Sequence, residues 1–104
     1  MNSHAVEIAS FDGCVLRGQF WPGGSAWIVL LHDVGSDEDL DRWRPLVPSL
    51  LAEGLSVLAV DLRGHGASDG EWAEDAAVED ASAIVRFARQ RAAAIVVVVA
   101  AGAS

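Results

Sequence analysis

Lysine is missing from this 104-residue sequence, and positive charge is scarce throughout it. The seven basic residues are all arginine, and fifteen acidic residues outnumber them to give a formal net charge of −8. No basic cluster interrupts this acidic character, which argues against nucleic acid and anionic membrane surfaces as partners. The acidic residues are best interpreted as a solvated surface.

Cysteine and long apolar runs are equally scarce. Cys14 is the single cysteine, so no internal disulfide can form, and we expect it to pack as a small hydrophobic side chain. The longest apolar run, residues 92–101, is much shorter than the about 20 residues that a membrane-spanning helix needs. No basic segment followed by an apolar one opens the chain, as a secretory signal would require. These absences predict a soluble, cytoplasmic protein.

Motifs for metals and nucleotides are also missing. His32 is followed by Asp33, Asp37 and Asp39, but this acidic group lacks a recognised ligand spacing such as His-Glu-x-x-His. No strand is followed by Gly-x-Gly-x-x-Gly or by Gly-Lys-Ser/Thr, so a phosphate-binding loop is a weak alternative. We therefore expect no metal and no cofactor.

Three continuous apolar segments dominate what is present, at residues 26–31, 55–60 and 94–101. The last contains four consecutive valines, which favour a strand. Because these segments do not alternate with polar residues, both faces of each strand should be covered, as in a parallel sheet. Before them, Asp12-Gly13 separates two short alternating segments, which predicts an antiparallel hairpin ending at Trp21.

Helical spacing separates the apolar strands. A first helix should begin near residues 43–45, and a second should run from about residue 75 to residue 90. The architecture is thus α/β, with an antiparallel β-hairpin followed by a parallel β-α-β-α-β arrangement in one domain over residues 1–104. The positions expected to be buried are Leu46, Val47, Leu50 and Leu51 in the first helix and Val78, Ala81, Ile84, Val85 and Ala88 in the second.

Three polar segments follow the three apolar strands, where ligands bind in open parallel sheets. They contain His-Asp-Val-Gly-Ser at residues 32–36, Asp-Leu-Arg-Gly-His-Gly-Ala-Ser at residues 61–68, and Gly-Ala-Ser at residues 102–104. In this order the segments resemble the first half of an α/β-hydrolase domain, in its esterase, lipase and serine-aminopeptidase branch. The middle segment is the most specific part of the resemblance.

The resemblance implies roles for particular residues. Ser104 would be the nucleophile, because Gly-x-Ser after a buried strand is the first half of a nucleophile elbow. The backbone N–H of Val34 would be one oxyanion donor. The family usually has glycine where this chain has Asp33, whose carboxylate argues against strong oxyanion stabilisation unless it points away.

The remaining polar residues of these segments are expected to be structural. The family's catalytic acid and histidine follow the nucleophile in the chain, so His32 and His65 should pack and hydrogen-bond their loops rather than act as bases. Asp61 and Asp69 are expected to fix their loop in the same way.

The predicted function is serine hydrolysis of a small-molecule ester, thioester or amide through an acyl-enzyme. The alternative is a non-catalytic member that serves binding or scaffolding. By the resemblance, the acid and histidine lie beyond Ser104, so we expect the 104 residues alone to be an inactive fragment. We also expect the valine-rich strand to be left with an open edge, which favours self-association.

Overall fold

The computed structural model describes residues 2–101, whose strands form one mixed five-stranded sheet in the order β1-β2-β4-β3-β5. Two 3₁₀ segments, Leu40–Leu46 and Glu74–Ala76, lead directly into the two α-helices. The other elements are β1 His4–Ala9, β2 Val15–Trp21, β3 Ala26–Leu31, α1 Val47–Ala52, β4 Ser56–Val60, α2 Ala77–Gln90 and β5 Ile95–Ala100.

The pairing of the strands confirms the predicted architecture. β1 and β2 are antiparallel, and β2 joins the remaining strands by an antiparallel pairing with β4. β3 lies between β4 and β5 and is parallel to both, with Leu31 opposite Val60 on one side and Ala100 on the other. The carboxyl ends of three strands therefore meet at one edge of the sheet.

Helical segments cover the two faces of the sheet. On one face, α2 packs through Ile84 and Phe87 against a core that includes Val29 and Leu58. On the other face, Trp43 and the first turn of α1 pack over the alternate residues of β3 and β4. All five residues of β4 are buried, which confirms the expectation for a continuous apolar strand with covered faces.

The first helical segment begins earlier than predicted, at Leu40 instead of residues 43–45. The Asp39 side chain accepts a hydrogen bond from the Asp41 N–H at 2.9 Å and so starts the turn. Pro45 and Pro48 lack the N–H groups of a regular α-helical ladder, and regular α-helix begins only at Val47. Leu46, expected to be buried, is exposed for the same reason, because the tighter turn of the 3₁₀ segment shifts its direction.

The buried face of α2 also differs from the prediction. Val78 is 74% exposed, whereas Asp80 and Phe87 are buried together with Ile84 and Ala88. Relative to the predicted orientation, α2 is rotated about its axis, because the Asp80 carboxylate points inward onto a buried arginine, Arg63. The prediction placed Val78 and not Phe87 on the buried face, and so it chose the neighbouring face.

β5 leaves one edge of the sheet open. Within residues 2–101 it pairs with β3 alone, and Ile95, Val97, Val98 and Val99 are all exposed. The expectation that both faces of this strand are covered is therefore wrong for the described part of the chain. Across the same residues, no helix is both long and apolar enough to cross a bilayer.

Candidate functional site

The candidate site lies at the carboxyl edge of the sheet, where the segments after β3, β4 and β5 meet. The Ala101 N–H donates to the Leu31 carbonyl oxygen at 2.9 Å, so the segments after β3 and β5 run side by side. Ser104, the predicted nucleophile, lies outside the described residues. The other predicted site residue, Val34, is exposed at this edge.

His32 and His65 have both ring nitrogens occupied by backbone groups. His32 Nε2 accepts from the Leu62 N–H at 2.9 Å, and Nδ1 is 2.7 Å from the Asp33 carbonyl oxygen. In His65, Nε2 accepts from the Gly35 N–H at 3.0 Å and Nδ1 is 3.0 Å from the Arg63 carbonyl oxygen. In each ring Nε2 therefore acts as the acceptor and Nδ1 as the donor. The expectation that these histidines hydrogen-bond their loops is confirmed.

Asp61 fixes the segment after β4. Its carboxylate accepts from the Leu40 N–H at 2.8 Å and the Ala67 N–H at 2.9 Å. Its carbonyl oxygen accepts from the Ser68 hydroxyl at 2.6 Å, and that hydroxyl oxygen accepts from the Arg17 N–H. Asp61 thus joins the start of the first helical segment to the loop, as predicted for a structural residue.

Asp69 closes the far end of the same loop. Its carboxylate accepts from the Arg17 guanidinium at 2.7 Å, and its N–H donates to the Val15 carbonyl oxygen. At the other end of the loop, the Asp61 N–H donates to the Arg17 carbonyl oxygen at 2.9 Å, so both ends are fixed to β2 and the predicted structural role of Asp69 is confirmed.

Arg63 is the buried centre of an ionic network. Its side chain is 8% exposed and donates to both carboxylate oxygens of Asp80, at 2.7 and 2.9 Å. It also donates to both oxygens of Asp12, in the β1–β2 turn, at 2.8 and 3.1 Å. The Ser10 hydroxyl completes the network by a hydrogen bond to Asp80. One guanidinium thereby joins the hairpin turn, the loop after β4 and α2.

The network perturbs the protonation of its members. Hydrogen bonds from the Arg63 guanidinium lower the pKa of Asp12 from its ordinary 3.8 to about 2. Hydrogen bonds to Asp80 and then to Asp12 raise the pKa of Arg63. Nearby, burial raises the pKa of the Cys14 thiol, so this cysteine stays protonated, as a packed hydrophobic residue should.

The predicted oxyanion donor is engaged by its neighbour. The Val34 N–H donates to Asp33 Oδ1 at 2.8 Å, and the following N–H, of Gly35, donates to the His65 ring. The Asp33 carboxylate, which the sequence marked as unfavourable unless it points away, therefore points at the N–H in question.

A cleft of about 610 Å³ opens beside this segment. Its lining includes Asp33, Val34 and Ala101 at the edge of the sheet, Ala81 of α2, and both members of the Arg63–Asp80 ion pair. A groove of about 690 Å³ lies between Arg17 and Arg44 at the start of the first 3₁₀ segment, and neither Val34 nor Ala101 lines it. The mainly apolar cleft is the better candidate for a ligand site, because it adjoins the end of β5.

Comparison with known families decides the identity of this arrangement. The family model described as serine aminopeptidase matches residues 24–104, which include all three polar segments. The chain belongs to the serine aminopeptidase family. This family is part of the α/β-hydrolase superfamily, which confirms the resemblance seen in the sequence.

Individual proteins match over most of the chain. An esterase from Pyrococcus furiosus superimposes with a TM-score of 0.81 at 29% identity, over 95% of this chain and 41% of its own. The dihydrolipoyllysine-residue acetyltransferase component of the acetoin cleaving system of Cupriavidus necator is 34% identical over 84 residues, 80% of this chain and 21% of its own length. A polyketide transferase from a Penicillium species is 35% identical over 71 residues, 67% of this chain and 24% of its own.

The chain thus spans about a fifth to a quarter of the curated relatives' length and about two fifths of the esterase. The strands and helices of residues 2–101 in this member of the serine aminopeptidase family match the first part of the α/β-hydrolase fold. Its family and structural neighbours are of the hydrolase type.

Sequence reasoning missed the ionic network of Arg63. The available signal was Phe87, which is larger than the valines chosen for the buried face of α2 and lies on the face that includes Asp80. Weighting that aromatic residue over Val78 predicts a buried aspartate, which then requires a basic partner.

Proposed function

We propose that this chain forms part of a serine hydrolase that cleaves an ester, thioester or amide of a small-molecule acyl substrate. The observation that carries the proposal is the parallel pairing of β3 and β5, with Ala101 hydrogen-bonded to Leu31. This pairing brings the chain that leads to Ser104 beside the segment that presents the Val34 N–H.

The proposed chemistry is acyl transfer in two steps. The Ser104 hydroxyl oxygen bonds to the acyl carbon and gives its proton to a histidine base, which passes it to the departing alcohol, thiol or amine. Water then cleaves the acyl–serine bond and releases the acid. The Val34 N–H stabilises the oxyanion formed in each step. His32 and His65 are committed to backbone groups, and the resemblance to the family implies a base that follows the nucleophile in the chain.

We expect a fluorophosphonate probe to label the protein produced from its natural gene, and Ser104→Ala to abolish labelling. The probe requires an activated serine, which attacks phosphorus and displaces fluoride. Labelling is measured by intact-protein mass spectrometry. Ser82→Ala is a matched control, because Ser82 is an exposed serine on α2 and should label like wild type. Equal labelling of wild type and Ser104→Ala would remove Ser104 as the nucleophile.

A non-catalytic binding or scaffolding role is the second candidate. The hydrogen bond from the Val34 N–H to Asp33 favours it, since an occupied donor does not stabilise an oxyanion. The encoded residues that follow Ser104 discriminate the two. A glycine two positions later, with an aspartate and a histidine further on, supports the enzyme, and the lack of all three supports the scaffold.

We propose in addition that the 104 residues, produced by themselves, self-associate through the open edge of β5. Unpaired N–H and C=O groups beside exposed valines are a template for strand addition. In sedimentation velocity we expect Val97→Lys to reduce the associated fraction. Val78→Lys is the matched control, because Val78 is an exposed valine on a helix and should leave association unchanged. A wild-type chain that sediments as a single monomer would refute the proposal.

A further inference from the structure

The Val34 N–H is held by a side chain that is free to leave it. Its acceptor, Oδ1, belongs to the preceding residue, Asp33, which is half-buried and lines the cleft. Rotation about the Asp33 side-chain bonds alone breaks this hydrogen bond and returns the carboxylate to water.

The neighbouring N–H is held in a different way. The Gly35 N–H donates to His65, a buried ring whose other nitrogen is fixed by the Arg63 carbonyl oxygen. That ring also packs edge-on against the ring of Trp72, with the centroids 5.9 Å apart. Releasing the Gly35 N–H requires the loop to move, whereas releasing the Val34 N–H requires one side chain to rotate.

We infer that Asp33 gates the oxyanion site by occupying the Val34 N–H. This inference rests on the proposed function, and Asp33 is a positioning residue in it. With the carboxylate in place, the N–H is taken and a negative charge lies where the oxyanion would form. The donor becomes available when the carboxylate rotates away, so the reactive state is a minor conformer and the observed rate is reduced by its population.

The size of the effect follows from the type of hydrogen bond. A charge-assisted hydrogen bond to a carboxylate is stronger than a neutral one. We expect its removal to raise the rate of serine acylation about 10- to 100-fold, which corresponds to about 1.4–2.7 kcal/mol. Removal of one oxyanion donor in other enzymes lowers turnover by about 100- to 1,000-fold. Blocking the Val34 N–H can therefore account for a change in rate of about 10- to 100-fold.

The test compares Asp33→Ala, Asp33→Asn and wild type in the protein produced from its natural gene. Alanine removes the acceptor, whereas asparagine keeps an acceptor oxygen and loses only the charge. The readouts are the rate of Ser104 labelling by a fluorophosphonate and the hydrogen exchange of the Val34 amide by NMR. Asp37→Ala removes an exposed charge from the same loop and controls for general electrostatics.

We expect Asp33→Ala to accelerate both labelling and Val34 exchange, Asp33→Asn to give a clearly smaller increase because its neutral hydrogen bond is weaker, and Asp37→Ala to stay close to wild type. Unchanged hydrogen exchange of the Val34 amide in Asp33→Ala would show that Asp33 does not occupy this N–H. Faster exchange with unchanged labelling would overturn the gate. Equal acceleration by Asp33→Ala and Asp33→Asn would show that the negative charge of Asp33, and not its hydrogen bond to the Val34 N–H, slows the reaction. If Ser104 is labelled in none of the proteins, the proposed function itself fails, while the exchange data still report on the Val34 hydrogen bond.

Discussion

Replacement of Arg63 by alanine is expected to lower the free energy of unfolding by about 3–5 kcal/mol. The substitution leaves the Asp80 carboxylate buried without its guanidinium, and the Asp12 carboxylate loses its partner in the hairpin turn. Three parts of the structure lose their common connection. Urea unfolding followed by tryptophan fluorescence measures the change, since all four tryptophans lie within the described residues.

Arg42→Ala is the matched control for this prediction. Arg42, on the first 3₁₀ segment, forms an ion pair at the surface with Glu38, which precedes the segment, and loss of this pair should change stability by about 0.5 kcal/mol or less. A comparable loss in both variants would show that arginine content, and not the buried network, sets the stability.

The acid side of the stability curve checks the same network. The pKa of Asp12 is about 2 when folded and 3.8 ordinarily, so between these values the unfolded chain binds more protons. The contribution of Asp12 is thus fully present above pH 3.8 and is lost as the pH falls through about 2. Between pH 4 and 2, wild type should lose stability more steeply than Asp12→Asn, and parallel curves would contradict the assigned pKa.

Gly64→Ala is expected to lower the free energy of unfolding by about 2–5 kcal/mol. Gly64 has a φ of +76°, which an L-residue adopts at a penalty of about 1–2 kcal/mol. A Cβ there would lie 2.5 Å from the Trp72 backbone nitrogen, and overpacking adds about 1–3 kcal/mol. The clash displaces the loop that carries His65, so labelling of Ser104 should fall as well.

Gly13→Ala separates the two contributions. Gly13 has a similar φ of +86°, but a Cβ at this position would meet no atom within 4 Å. This variant should lose only the backbone contribution of about 1–2 kcal/mol and should label like wild type. Equal losses at both glycines would show that the contact with Trp72 is relieved without cost.

Much of the fold was predictable because strand propensity and burial agree in this chain. The continuous apolar segments that became β3 and β4 can be covered on both faces only inside a sheet, and Asp12-Gly13 between alternating segments specifies a hairpin. The polar segments that follow the strands were then placed at one edge by parallel pairing alone.

The side-chain geometry of the site was not predictable in the same way. The inward direction of Asp80 depends on Arg63, which is distant in sequence and whose side-chain direction no periodicity reports. The hydrogen bond between the Val34 N–H and Asp33 depends on a side-chain rotamer, although the sequence did identify Asp33 as a departure from the family pattern. Buried ionic networks and side-chain rotamers depend on tertiary contacts, so the sequence pattern alone did not predict them.

The strand order β1-β2-β4-β3-β5 also constrains how the protein is made on the ribosome. β1 and β2 emerge first, but an isolated two-stranded hairpin is at best marginally stable. β2 finds its second neighbour, β4, only after residues 22–55 have been synthesised, and β3 must leave room for β4 to insert between itself and β2. The nascent hairpin therefore remains exposed to chaperones and proteases until β4 emerges. The first strands to be translated are thus not the first to be stably folded.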